Sequence, residues 1–174
     1  MNWIPVAMMC LVPLACGAAS GAAPTRIAFV DTGNTGRSVT AEALAIALIH
    51  EKGLAIQVIS RAFDLNPYNI EPEANAALLL KQRGIDVSAH RAAQLTIQDV
   101  RHSDLILTAT EKHKLGVTAQ FPEAAGKTFT MSEYATGKTN DIVDAYGQPM
   151  EVYEQVFRQI GLYLPAVLEK AATK

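Results

Sequence analysis

Short continuous apolar runs alternate along the chain with longer segments whose apolar residues recur every three or four positions. The runs read as strands buried on both faces, and the recurrence reads as helices with one buried stripe. The first run, Ile27 to Val30, predicts a strand over residues 26–30. From Arg37 onward, Val39, Ala43, Leu44, Ala47 and Leu48 share one helical face. That helix is predicted over 37–52, ending at Gly53, a residue suited to a left-handed C-terminal cap. Further strands are predicted over 55–60, 104–108 and 127–131. Helices are predicted from Pro72 to just before Gly84, over a short stretch capped by Thr96 with Asp99 three residues on, and over 111–119. The last begins near Pro149 and lines up Val152, Val156, Phe157, Ile160 and Leu164, with Pro165 expected to kink or restart it. Residues 61–71 read as a loop on the ligand side of the sheet, 85–95 as irregular, and 132–148 as a polar, glycine-containing loop. Strands alternating with amphipathic helices predict a parallel α/β sheet with helices on both faces, three layers in all.

The chain of 174 residues suits one domain with a full core. No repeat, low-complexity tract or linker divides it. Hydrophobic residues make up 49% and charged residues 18%, which excludes a disordered tail. A net charge of −2 with no basic run argues against nucleic acid as a partner.

Residues 1–23 carry no charged side chain and pass from an apolar stretch into Gly-Ala-Ala-Ser-Gly-Ala-Ala. This reads as a cleaved secretory leader with small residues at its end, although a basic first segment is missing. Pro5 and Pro13 interrupt the apolar span, which disfavours a retained membrane anchor. A lipoprotein signal at Cys16 is the lesser alternative, because Pro13-Leu14-Ala15 is a poor lead-in. A periplasmic or secreted domain over 24–174, with no membrane contact once the leader is removed, is therefore expected. Both cysteines, Cys10 and Cys16, fall inside the leader, so that domain would hold no disulfide, thiolate or cysteine metal site.

The chemistry concentrates between the first strand and the first helix. Asp31, Thr32, Gly33, Asn34, Thr35, Gly36, Arg37 and Ser38 join them. A strand that turns through glycines into a helix points several backbone N–H groups into one bowl. The helix dipole adds partial positive charge, and Arg37 adds a planar fork matched to phosphate oxygens. These residues predict an anion cradle.

The stretch resembles the phosphate-binding loop of low-molecular-weight protein tyrosine phosphatases, whose signature is Cys, five residues, then Arg-Ser. Thr40-Ala41-Glu42-Ala43-Leu44 fits the helix that follows. Gly84-Ile85-Asp86-Val87-Ser88-Ala89-His90-Arg91, Asp104-Leu105-Ile106-Leu107 and Asp141-Ile142-Val143-Asp144-Ala145-Tyr146-Gly147 also resemble family segments, in the family's order. The likeness spans residues 27–168 and implies a four-stranded parallel sheet in the order 2-1-3-4. It implies that Arg37 grips phosphate, Asn34 shapes the loop, Ser38 supports the nucleophile and Asp144 is the general acid, with Ala145 where the family has proline. By its own sequence Asp144 also reads as a turn aspartate. Tyr146 is the expected wall of the substrate cleft, with Tyr134 a second candidate.

In this register Asp31 stands where the family has its nucleophilic cysteine. A carboxylate is the weaker nucleophile, and aspartyl-phosphate enzymes usually add a metal. No ligand cluster beyond Asp31 and Asp144 is evident, and no metal or cofactor is expected. The carboxylate is expected to bond the loop N–H groups and Arg37, as an internal ligand. The expected function is a phosphatase-like protein that binds phosphate or phosphotyrosine-like anions and is catalytically impaired. The alternative is an active hydrolase with Asp31 as nucleophile and Asp144 as acid, with a metal bridging the two. Arsenate reductases on the same scaffold need thiols as well. His50, His90, His102 and His113 show no ligand spacing and default to structural or solvated roles. Nothing in the sequence fixes the oligomeric state.

Overall fold

Strand β1 (Thr25–Asp31) has a partner on each side, pairing in parallel with β2 (Ile56–Ala62) and β3 (Leu105–Thr108). β4 (Thr128–Thr130) pairs with β3, so the sheet order is β2-β1-β3-β4, as the resemblance implied. The computed structural model describes residues 23–173. The leader expected over residues 1–23 thus lies, apart from residue 23, outside the described residues.

Alternate residues of a strand point to opposite faces, and the buried run of β1 divides accordingly. Ile27 and Phe29 join Leu105 and Leu107 in a core closed by α1 (Arg37–Lys52), α5 (Met131–Thr136) and α6 (Met150–Ala172). Ala28 and Val30 join Ile106 in a second core, closed by Val100 of α3 (Ile97–His102) and Val117 of α4 (Glu111–Gln120). The central strands are therefore sandwiched, which is why they read as continuous apolar runs rather than alternating ones. Among the described residues, no helix is long and apolar enough to cross a membrane.

Several predicted boundaries hold. Helix α1 ends at Gly53, whose φ of 62° is the left-handed cap that glycine adopts without a Cβ clash. Thr96 and Asp99 form a reciprocal capping box at the start of α3.

Other boundaries move. β2 runs two residues past its predicted end to Ala62, because it stays paired with β1 as far as Asp31. α2 (Ala74–Lys81) begins after Glu73 rather than at Pro72. The segment 132–148 is not wholly a loop. Thr130 and Glu133 form a second capping box, Gly137 closes the other end in the left-handed region, and α5 lies between them. Lastly, α6 continues through Pro165 without a break. An interior proline costs about 3 kcal/mol, and burying a leucine contributes about 1.5–3 kcal/mol. Leu164, Val167 and Leu168 are all buried around that proline, so packing outweighs the lost bond.

Candidate functional site

The loop from Asp31 to Ser38 hangs from the C-terminal end of the central strand, and its curl is set by Asp31. That side chain is buried, with Oδ1 accepting from the Asn34 N–H at 2.6 Å and Oδ2 from the Ser38 N–H at 2.9 Å. A helix leaves its first-turn amides without internal partners; here the Ser38 amide finds one in Asp31. Asn34 adopts φ 57°, a left-handed conformation that asparagine tolerates better than most residues.

Asn34 also ties the loop to its surroundings. Its Nδ2 donates to Ser38 Oγ at 2.9 Å, its Oδ1 accepts from the Ala93 N–H at 3.1 Å, and its carbonyl oxygen meets His90 Nε2 at 2.9 Å. Just beyond the end of β2, the N–H groups of Phe63 and Asp64 donate to the carbonyls of Asp31 and Thr32. The loop is closed and held on both sides. Asn34 and Ser38 thus meet inside the loop, and His90 contacts it from outside through the Asn34 carbonyl.

Arg37 is buried, and its fork points across the loop mouth. One terminal nitrogen donates to the Ile142 carbonyl at 3.1 Å, and the other to Asp144 Oδ2 at 2.8 Å. Nε is buried without a hydrogen-bond partner. The expected bond between Arg37 and Asp31 is not made. Main-chain amides engage both oxygens of Asp31, and the segment carrying Ile142 and Asp144 takes the guanidinium instead. Ile142 and Ala145 are buried, and the Ile142 N–H donates to the Ala109 carbonyl at 2.9 Å. Apolar anchoring thus fixes the Asp144 segment where the resemblance would have used a proline. The turn reading of Asp144 is seen directly, since its Oδ1 accepts from the Tyr146 N–H at 3.2 Å. Tyr146 is exposed beside it, at the rim. Tyr134, the other aromatic candidate, packs instead against Phe129 of β4, with ring centroids 5.6 Å apart.

Two groups at the site carry no local sequence signal. Glu73 reaches the loop from the start of α2. Its N–H donates to the Thr35 carbonyl at 2.9 Å and its Oε1 accepts from Thr35 Oγ1 at 3.1 Å. Its Oε2 accepts from the Tyr153 hydroxyl at 2.5 Å. Burial pushes the Glu73 carboxyl above its ordinary range; bonds from Tyr153 and Thr35 pull it back, and the charges of Asp144 and Asp31 raise it. The carboxylate lies so close to Gly36 that a Cβ there would meet Oε1 at 2.5 Å. Gly36, Arg37, Glu73, Asp144 and Tyr153 line a single small cavity of about 10 Å³.

The second group is His113 on α4, buried, with Nε2 2.9 Å from Thr32 Oγ1 and Nδ1 2.9 Å from Thr110 Oγ1. Burial and the Arg37 charge lower its pKa, against the opposing pull of Asp31 and Asp144. Neither group is near the loop in sequence, and only the fold brings them to it.

Residues 26–174 match the family model described as low molecular weight phosphotyrosine protein phosphatase. The chain belongs to that family. It is 34% identical to a protein-arginine-phosphatase of Geobacillus stearothermophilus, over 87% of this chain and 99% of the relative. It is 32% identical to the low molecular weight protein-tyrosine-phosphatase PtpB of Staphylococcus haemolyticus, over 80% of this chain and 94% of that one. A crystal structure of a YwlE mutant from Bacillus subtilis superimposes with a TM-score of 0.80 at 32% identity, covering 84% of this chain and 97% of the other. Low molecular weight phosphatases thus provide the fold and the setting of the loop. The chemistry open to this member depends on a carboxylate at its floor, an arginine across its mouth and a second carboxylate over Gly36.

Proposed function

We propose that this member binds phosphate or phosphorylated protein side chains in the loop 31–38 and is catalytically impaired, because Asp31 occupies the position of the family's cysteine nucleophile. The observation that carries this reading is the pair of hydrogen bonds that loop amides donate to Asp31. Each carboxylate oxygen already accepts an N–H, from Asn34 and from Ser38. Asp31 therefore serves the loop as an internal acceptor, and a carboxylate so engaged is a poor attacking group compared with a thiolate. The buried, unpartnered Nε of Arg37 is a donor that an incoming oxyanion would satisfy. Asp144, paired with Arg37 and solvent-accessible, is placed to shield or release that guanidinium. Relatives named as arginine and as tyrosine phosphatases both support a phosphorylated side chain as the ligand class.

Turnover of para-nitrophenyl phosphate by the wild type and by Asp31→Cys, with and without Mg²⁺, tests the reading. The wild type should be slower than the cysteine variant by roughly 10³-fold or more, the scale of losing a covalent nucleophile. Equal rates, above all rates that need Mg²⁺, would establish an aspartyl-phosphate hydrolase instead. Phosphate should raise the melting temperature of the wild type, as any ligand of the native state does. The charge-free stretch at 1–23 supports placing this activity in the periplasm or outside the cell; fractionation of the expressed full chain, with the mature N-terminus sequenced, tests that.

A further inference from the structure

We propose that Glu73 tunes the anion selectivity of the loop 31–38: with its carboxyl group neutral the loop binds a dianion more tightly than with it ionised. The proposal rests on the anion-binding reading above and assigns its selectivity to a residue outside the loop.

Three observations place Glu73 in control of the loop. It is fastened to Thr35 through both its own N–H and its carboxylate, at 2.9 and 3.1 Å. It is fastened to α6 by the Tyr153 hydroxyl at 2.5 Å. It also fills the space beside Gly36 that any other side chain at 36 would need. The carboxylate therefore sits over the N-terminus of α1, where the helix dipole would otherwise favour an external anion. It shares one small cavity with Arg37 and Asp144.

The charges around this position decide the outcome. Arg37 on α1 is the standing cation, and His113 on α4, against Thr32, adds a second only where it takes up a proton. Asp31 at the end of β1, Asp144 on the loop before α6 and Glu73 itself are the acids, and Tyr153 on α6 faces Glu73 as a donor. Burial and the Glu73 charge push the Tyr153 hydroxyl far above its ordinary range, so it remains a donor throughout. With Glu73 ionised, three carboxylates oppose one guanidinium. With Glu73 protonated the imbalance drops by one charge at the point nearest the helix terminus. Burial holds the Glu73 carboxyl above 4.5, so the change falls at higher pH than for an exposed glutamate. Affinity for a dianion should then be greatest below that ionisation and decline as pH rises through it. A ligand that shifts the Glu73 pKa by one unit loses about tenfold in affinity when Glu73 ionises.

Sulfate is the suitable probe, because its charge stays constant where phosphate would itself titrate. Its dissociation constant should be measured by calorimetry from about pH 4.5 to about pH 8.5 for the wild type, Glu73→Gln and Tyr153→Phe. Wild-type affinity should fall about tenfold with rising pH, and Glu73→Gln should lose most of that slope while retaining binding at high pH. Tyr153→Phe removes a donor that favours the ionised carboxylate, so its decline should move to higher pH. Should Glu73→Gln not fold, Tyr153→Phe decides alone, and an unmoved profile overturns the proposal. A Glu73→Gln profile parallel to the wild type also overturns it, leaving anion binding itself intact. Failure of every variant to bind sulfate at any pH would instead overturn the anion-binding reading on which the proposal stands.

Discussion

Arg37 and Asp144, separated by 107 positions in the chain, form a 2.8 Å ion pair across the mouth of the loop. The arginine end is buried, whereas the aspartate side chain is 56% exposed. The pair joins the helix that ends the loop to the segment that covers it, and it competes with any external anion for the same guanidinium.

Asp144→Asn should therefore strengthen anion binding. The neutral side chain still accepts a hydrogen bond but no longer opposes the ligand's charge. A gain of roughly twofold to fivefold in phosphate affinity is expected, in line with the modest worth of partly exposed charge pairs. Isothermal titration measures it; a weakened affinity would mean that Asp144 orders the site more than it screens it.

Asp31→Ala should loosen the loop, because it strands the amides of Asn34 and Ser38 that the carboxylate now satisfies. Losing a buried acceptor of this kind costs about 1–3 kcal/mol. Phosphate should restore more stability to this variant than to the wild type, since its oxygens can replace the missing carboxylate. Thermal melts with and without phosphate give the comparison, and equal shifts in the two proteins would contradict it.

Gly36→Ala sets a Cβ 2.5 Å from a Glu73 oxygen. A free glutamate would swing aside, but this one is held by Thr35 and Tyr153. A destabilisation of about 1–3 kcal/mol is expected from the overpacking. In the background of Glu73→Ala most of it should vanish, giving a non-additive double-mutant cycle. Additive effects in denaturant melts would show that the two residues do not act as a pair.

His113 gives the site a dependence on acid. Burial holds its folded-state pKa below the ordinary 6.5, so the unfolded chain takes up the proton first as pH falls. Its contribution to stability is complete above about 6.5 and is lost as pH drops toward the lower, folded value. His113→Gln, which keeps a polar contact for Thr32, should flatten that part of the profile. Urea midpoints between about pH 7.5 and about pH 5 in the two proteins test the sign.

The parts of this molecule that local chemistry determines were legible from the residues. The continuous run Ile27 to Val30, the glycines at 33 and 36 and the periodic face from Val39 predict strand, bowl and helix without help from the rest of the chain. Helix α5 escaped that reading, although Thr130 with Glu133, and Gly137 beyond, spell a capping box and a stop. Its stretch is short and polar enough that periodicity gives little signal. The Glu73–Gly36 fit and the contact of His113 with Thr32 were not legible, since they depend on where α2 and α4 land after folding. The partner of Arg37 differs from the expected Asp31 for a related reason. The Asn34 and Ser38 amides take the Asp31 carboxylate, and the covering segment brings Asp144 to the guanidinium.

Because β1 is the inner strand, residues 25–31 are laced to a neighbour along both edges, and α1 departs from that seam directly into the main core. The framework that presents the bowl draws its rigidity from the sheet interior, whereas Asp31 sets only the curl of the loop itself. The exchange of sulfur for carboxylate proposed above would leave the flanking strand and helix in place, so that a loss of turnover need not bring a loss of fold. Reading such chains as binders or sensors then becomes a question about charge rather than about folding.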